Sequence, residues 1–99
     1  LQLLNWKNGW QDSIGKVSIA DSSAVKVYGT TQYCECYGLL LEVLGAAGVL
    51  KGDSPGSVLA GRLERSYRGT LILTFGGGTN EIQRDLIAIF GLGMPRSLR

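Results

Sequence analysis

Apolar residues recur every three or four positions along most of this chain, a period that predicts helices. Leu3, Trp6 and Trp10 share one helical face with Leu4 beside them, in a segment over residues 1–13 that starts inside its apolar pattern with no cap or turn ahead of it. It reads as the end of a longer helix. Residues 15–20 break the period, and Asp21, Ser22 and Ser23 then offer three successive N-cap candidates. The helix they open is predicted over 21–44, with Val25, Tyr28, Gln32, Cys36, Leu39, Leu40 and Val43 as its inward stripe and Lys26, Thr30 and Tyr37 on the opposite face. Such a helix would be about 35 Å long. It needs a partner of similar length, because most helical stability comes from packing.

Gly45-Ala46-Ala47-Gly48 ends that helix, and residues 49–57, with Pro55-Gly56, read as a loop. Ser57 can cap a short helix over 57–68 in which Leu59, Leu63 and Ser66 or Tyr67 face inward while Arg62, Glu64, Arg65 and Arg68 stay in water. Residues 69–75 carry strand-like β-branched content, but the chain offers no second strand to pair with. They read as a buried connection, partly helical. Gly76-Gly77-Gly78 then feeds a last helix over 79–91, where Asn80 and Gln83 have the spacing of a capping box and Thr79 is the alternative cap. Ile82, Leu86, Ile89 and Phe90 form its apolar face, and Gly91 or Gly93 followed by Pro95 stops it. The fold class is all-α: three or four helices, part of a helical bundle.

The Gly-rich run before a helix is the one stretch with chemistry in it. Three glycines let a backbone approach a ligand closely, and a helix N-terminus presents unpaired N–H groups and positive potential, which together suit an anion such as a phosphate. Neither the GxxxxGK[ST] nor the GxGxxG pattern accompanies it. The chain has no histidine, which removes the usual general base, the Ser-His-Asp triad and the commonest metal ligand. No metal site is expected. Net charge is +2, and Arg62, Arg65, Arg68, Arg84 and Arg96 are spread rather than clustered, so nucleic acid is set aside. Cys34 and Cys36, two apart on a helix, point about 200° from each other around the axis and cannot bridge. Reduced thiols match a cytoplasmic compartment. No apolar run is long enough for a membrane span.

The run Gly77-Gly78-Thr79-Asn80-Glu81-Ile82-Gln83-Arg84, with Leu86-Ile87-Ala88 and Gly91-Leu92-Gly93-Met94-Pro95-Arg96 after it, resembles the C-terminal signature of the acyl-CoA dehydrogenases. Upstream, Arg65-Ser66-Tyr67-Arg68 resembles the end of that family's short helix, and Leu44-Gly45-Ala46-Ala47-Gly48 its Gly-rich turn after the long helix. The resemblance covers almost all of the chain. It implies that these residues are the last quarter or so of a flavoenzyme, most of its C-terminal helical domain. Family members remove the α-hydrogen of an acyl-CoA as a proton while the β-hydrogen leaves as hydride to FAD. By position, the resemblance assigns FAD contacts to Thr79 and Glu81, with Gly78 adjoining. It assigns Glu42, Gly45 and Gly48 to a site for the FAD of a neighbouring subunit. It further implies a homo- or hetero-oligomer, a tetramer in the parent, with electron-transfer flavoprotein as acceptor.

The departures from the family pattern carry their own expectations. In the short- and medium-chain branches the catalytic base is a Glu at the position of Gly77, and glycine cannot take a proton. No catalytic residue is therefore expected in this chain, and the base belongs on an earlier helix or on a partner. Gly76 and Gly69 replace larger residues of relatives and would widen the site for a bulky substrate. The form Phe75-Gly76-Gly77-Gly78-Thr79-Asn80-Glu81 resembles the bacterial sterol-degrading branch, whose members can be heteromeric. The alternatives are a non-catalytic partner subunit of a heteromeric acyl-CoA dehydrogenase, and a small helical anion-binding module. The 99 residues alone are expected to be inactive, to retain little FAD and to self-associate.

Overall fold

The computed structural model describes residues 1–96, and every regular element among them is helical. They are α1 (Gln2–Ser13), α2 (Ile19–Leu44), α3 (Arg62–Ile72) and α4 (Asn80–Leu92), with 3-10 turns at Gly45–Val49 and Val58–Gly61. The all-α expectation holds. The chain divides into two compact units, one of Leu1–Gly29 with the residues from Gly77 onward, the other of Thr30–Gly76. Helix α2 contributes its first part to the former and the rest to the latter.

In the first unit α1, the start of α2 and α4 meet through small side chains and a few polar ties. Helix α2 begins at Ile19, ahead of the expected caps, because Ser18 Oγ accepts from the N–H of Asp21 at 3.1 Å. That is N-cap geometry in the spacing of a capping box. Asp21 is instead a first-turn acid and the partner of α1: Lys7 Nζ and Gln11 Nε2 each donate to its carboxylate at 2.9 Å. Gly29 faces Leu1 and Gly91 faces Ala20, both too closely for a larger residue without a shift. Ser23 and Asn80 are buried.

In the second unit both 3-10 turns and α3 pack together, and the remainder of α2 meets α3 at Cys34 and Gly38. Cys34 Sγ lies 3.6 Å from the Thr70 carbonyl, and Thr70 Oγ1 donates to the Tyr67 carbonyl at 2.7 Å. The short helix expected over 57–68 does not start at Ser57. Leu59, Ala60 and Gly61 all take left-handed backbone (φ 52, 50 and 64°), and α3 begins only at Arg62. The cause is the neighbouring loop: Gly61 sits on the backbone of Lys51 and Gly52 with no room for a Cβ on either glycine. Helix α3 then runs on to Ile72, so residues 69–75 are largely helical or turn, but Leu71, Ile72, Leu73 and Phe75 are exposed rather than buried.

The inward face of α2 is the reverse of the expected one. Tyr28, Leu39, Leu40 and Val43 of the apolar stripe are exposed, Val43 at 82%, whereas Ser23, Gly29 and Thr30 are buried and Cys34 half-buried. Small residues permit close approach between helices, so the small-residue face packs within the chain and the apolar stripe is left outward. On α1, Leu3, Trp6 and Trp10 are likewise 75%, 63% and 61% exposed. Leu59, Ile82 and Phe90 are exposed as well, and Glu64, expected in water, is half-buried in an ion pair with Arg68. No apolar residue is fully buried among the described residues.

Candidate functional site

Thr79 Oγ1 accepts from the N–H of Ile82 at 3.3 Å, and Thr79 has the extended backbone of an N-cap (φ −67°, ψ 154°). Of the two caps the sequence offers, Thr79 is the one used. Gln83 does not close a capping box with Asn80; its Nε2 reaches back to the carbonyl of Gly77 at 3.2 Å. Gly93 closes α4 in the left-handed conformation, and the N–H of Met94 after it donates to the Ala88 carbonyl at 2.9 Å.

Gly77 and Gly78 take φ of 70° and 97°, which a residue with a Cβ rarely adopts. Two side chains fix this turn. Gln83 holds the Gly77 carbonyl, and Lys26 Nζ, from α2, donates at 2.7 Å to both the Gly78 carbonyl and Asn80 Oδ1. The N–H groups of Gly77, Gly78 and Thr79 make no backbone hydrogen bond within the described residues. What results is a short run of amides with no backbone partner ahead of a helix N-terminus, donors that suit negative or oxygen-rich groups.

Glu81 lies exposed in the first turn of α4. Its carboxyl is held below the ordinary carboxylate range by a hydrogen bond from its own N–H, then by the Thr79 hydroxyl, with the charges of Arg84 and Lys26 adding. At neutral pH it is an acceptor, able to take hydrogen bonds from hydroxyls and repelled by phosphate. Gly77 has open space where a Cβ would lie.

Glu42, Gly45 and Gly48 belong to the other unit, so the six site residues fall into two groups. Glu42 is exposed near the end of α2 and lines an open groove with Glu35, Gly38 and Leu39. Gly45 starts the following turn at φ 59° in open space. Gly48 is buried, and a Cβ there would lie 2.9 Å from Leu44 Cβ and 3.1 Å from the Leu41 carbonyl oxygen. Both glycines thus have a reason within the chain itself, one for its dihedral and one for its packing. No cluster of three or more His, Cys, Asp or Glu fit to hold a metal occurs among the described residues, and none of their helices is long and apolar enough to cross a membrane.

The family model described as acyl-CoA dehydrogenase, C-terminal domain, matches residues 1–91. The chain belongs to the acyl-CoA dehydrogenases. This acyl-CoA dehydrogenase domain is 53% identical over 102 residues to Acyl-CoA dehydrogenase FadE26 of Mycobacterium tuberculosis, covering 100% of this chain and 26% of that protein. To Acyl-CoA dehydrogenase FadE29 of the same organism it is 35% identical over 96 residues, 96% of this chain and 24% of that one. Among solved structures it is similar to the ChsE4-ChsE5 complex from Mycobacterium tuberculosis, at TM-score 0.84 and 53% identity over 97% of this chain and 25% of that one. It is also similar to the Tcur3481-Tcur3483 steroid ACAD, at TM-score 0.89 and 46% identity over 97% and 25%. The chain spans about a quarter of the length of the curated relatives it matches.

Lys26 and Gln83 are the two residues of this loop that sequence reasoning did not assign to it. Gln83 stood as half of a capping box. Lys26, separated from Gly78 by 52 positions, stood only as a residue opposite the apolar stripe. The signal for it was weak but present: it shares the face of α2 that carries Ser23 and Thr30, the face that packs.

Proposed function

We propose that this domain is the C-terminal part of an FAD-dependent acyl-CoA dehydrogenase that introduces an α,β double bond into an acyl-CoA thioester, and that it supplies flavin contacts and subunit interface rather than the base. The observation that carries this is the Gly77-Gly78-Thr79 turn, whose amides make no backbone hydrogen bond ahead of α4, in a chain of that family. FAD, when bound, supplies the two-electron acceptor. The donor set fits it: the amides of Gly78 and Thr79 can donate to flavin oxygens, the Thr79 hydroxyl can do so by turning from Glu81, and the Glu81 carboxylate can then accept from ribityl or ribose hydroxyls. A phosphate belongs on the amides, away from Glu81. Glu42, Gly45 and Gly48 are proposed for the FAD of a neighbouring subunit. The outward apolar side chains of α1 and α2, Trp6, Trp10, Leu39 and Val43 among them, are the surface that the rest of the parent and its partner subunit cover.

Gly77 leaves this chain without the short-chain base, so the proton is taken by a carboxylate elsewhere in the parent or on a partner. The steroid-associated relatives and the three consecutive glycines together support a bulky, sterol-derived acyl-CoA, with electrons passing on to an electron-transfer flavoprotein. A second reading, a non-catalytic subunit of a heteromer, is favoured by the same Gly77. The test is to purify the full-length protein, alone and with its pairing subunit, and follow flavin absorbance under sterol-side-chain and straight-chain acyl-CoA thioesters. Bound flavin that bleaches preferentially with the sterol thioester is expected. Flavin that never copurifies would overturn the reading, and flavin that bleaches only through the partner's own site would select the second.

A further inference from the structure

We infer that Lys26 is a positioning residue for the flavin-contacting turn, holding the peptide planes of residues 78–80 so that their donors face the cofactor; this rests on the reading of that turn given above. The argument starts from the peptide unit. In a trans peptide the C=O of one residue and the N–H of the next point in opposite directions. Gln83 draws the Gly77 carbonyl toward α4, and Lys26 draws the Gly78 carbonyl toward α2. Each tether therefore turns the following amide, that of Gly78 or of Thr79, the other way. Two successive donors are aimed by two side chains that need not touch the ligand.

The need for a tether follows from composition. Three glycines in succession lose more backbone freedom on ordering than any other tripeptide, and the positive φ of Gly77 and Gly78 is not enforced by a side chain of their own. A charge-assisted hydrogen bond of 2.7 Å is among the stronger local restraints available. Lys26 divides its ammonium between the Gly78 carbonyl and Asn80 Oδ1, and Asn80 is the buried first residue of α4. The turn is thus clamped to the helix start as one piece.

An uncharged side chain of the same length would keep the packing and lose the tether.

The test uses the full-length protein with its pairing subunit, stripped of flavin and titrated with FAD by fluorescence quenching. Lys26→Met is expected to weaken FAD binding about tenfold, the factor that corresponds to about 1.4 kcal/mol, while thermal unfolding of the apoprotein stays close to wild type. Lys26→Arg, which keeps the donors, should remain within about threefold of wild type, since a guanidinium can make the same charge-assisted bonds. Thr79→Val reports on the contact itself and should weaken FAD; combined with Lys26→Met its effect should shrink, because a misdirected turn has less to lose. If Thr79→Val leaves FAD affinity unchanged, the flavin reading of the turn fails. If Thr79→Val weakens FAD but Lys26→Met does not, the role of Lys26 alone fails. Equal losses for Met and Arg accompanied by equal falls in apoprotein melting would make Lys26 merely structural. Should Lys26→Met not fold, Gln83→Met cuts the other tether; a folded Gln83→Met with weakened FAD supports the aiming of the turn by side chains, and one with unchanged FAD overturns it.

Discussion

Replacing alanine by glycine ordinarily weakens a folded segment, yet at Ala60 it should strengthen one. Ala60 takes φ 50° and ψ 39°, the left-handed conformation, flanked by Leu59 and Gly61 in the same region. A residue with a Cβ is worse off there by about 1–2 kcal/mol. Glycine removes that strain but enlarges the freedom of the unfolded chain, at a cost of about 0.4–1 kcal/mol. The net expectation for Ala60→Gly is a gain of about 0.5–1 kcal/mol, the left-handed strain less the entropy. Ala46, in the preceding 3-10 turn, is not among the residues of positive φ, so Ala46→Gly relieves nothing and should cost about 0.5–1 kcal/mol. Hydrogen exchange on the full-length protein, read by mass spectrometry over residues 45–65, separates the two. Protection around the Arg62 N–H, which bonds the Leu59 carbonyl, should rise about two- to fivefold in Ala60→Gly, whereas protection over residues 45–50 should fall by a similar factor in Ala46→Gly. Faster exchange in Ala60→Gly would show that the left-handed run carries no strain, and would refute the argument.

Two further outcomes are expected. Gly48→Ala should destabilise the end of α2 by about 1–2 kcal/mol in apoprotein and holoprotein alike, because a Cβ 2.9 Å from Leu44 Cβ forces a backbone shift; loss of FAD with unchanged exchange protection would assign Gly48 to cofactor contact alone. Asp21 has its carboxyl lowered below 3.8 by hydrogen bonds from Gln11 and then Lys7, so its stabilising contribution is complete above that value and is lost as pH falls through the depressed folded one. In acid titration of α1 by circular dichroism, Asp21→Asn should therefore show a flatter limb below pH 3.8 than the wild type.

The parts of this chain that were legible in its sequence are those decided by neighbours in sequence. Thr79 stood as one of two caps for α4 and Gly93 as one of two stops, because capping chemistry and the left-handed terminus are local. The end of α2 at Leu44 followed from Gly45 in the same way. The inward face of α2 was not legible, since the apolar stripe through Leu39 and Val43 lies outward and the face that packs inside these 99 residues is made of small side chains. The left-handed backbone of Leu59 and Ala60 had no sequence mark either, for neither residue favours it and its cause is the backbone of Gly52. At the candidate site, the glycine run and Thr79 could be found by inspection. Lys26 could not, because its bond to Gly78 spans 52 positions of chain.

The seams of this domain are lined by Ser23, Thr30, Thr70 and Asn80, with no apolar side chain fully buried among the described residues. Heat capacity gives that arrangement a calorimetric meaning. Exposure of apolar surface raises the heat capacity of unfolding, and exposure of polar surface lowers it. Melting these residues on their own should therefore produce a small heat-capacity step and a stability curve that is nearly flat with temperature. In the parent proposed above, covering the outward faces of α1 and α2 would add a larger step, and with it a more sharply curved dependence of stability on temperature.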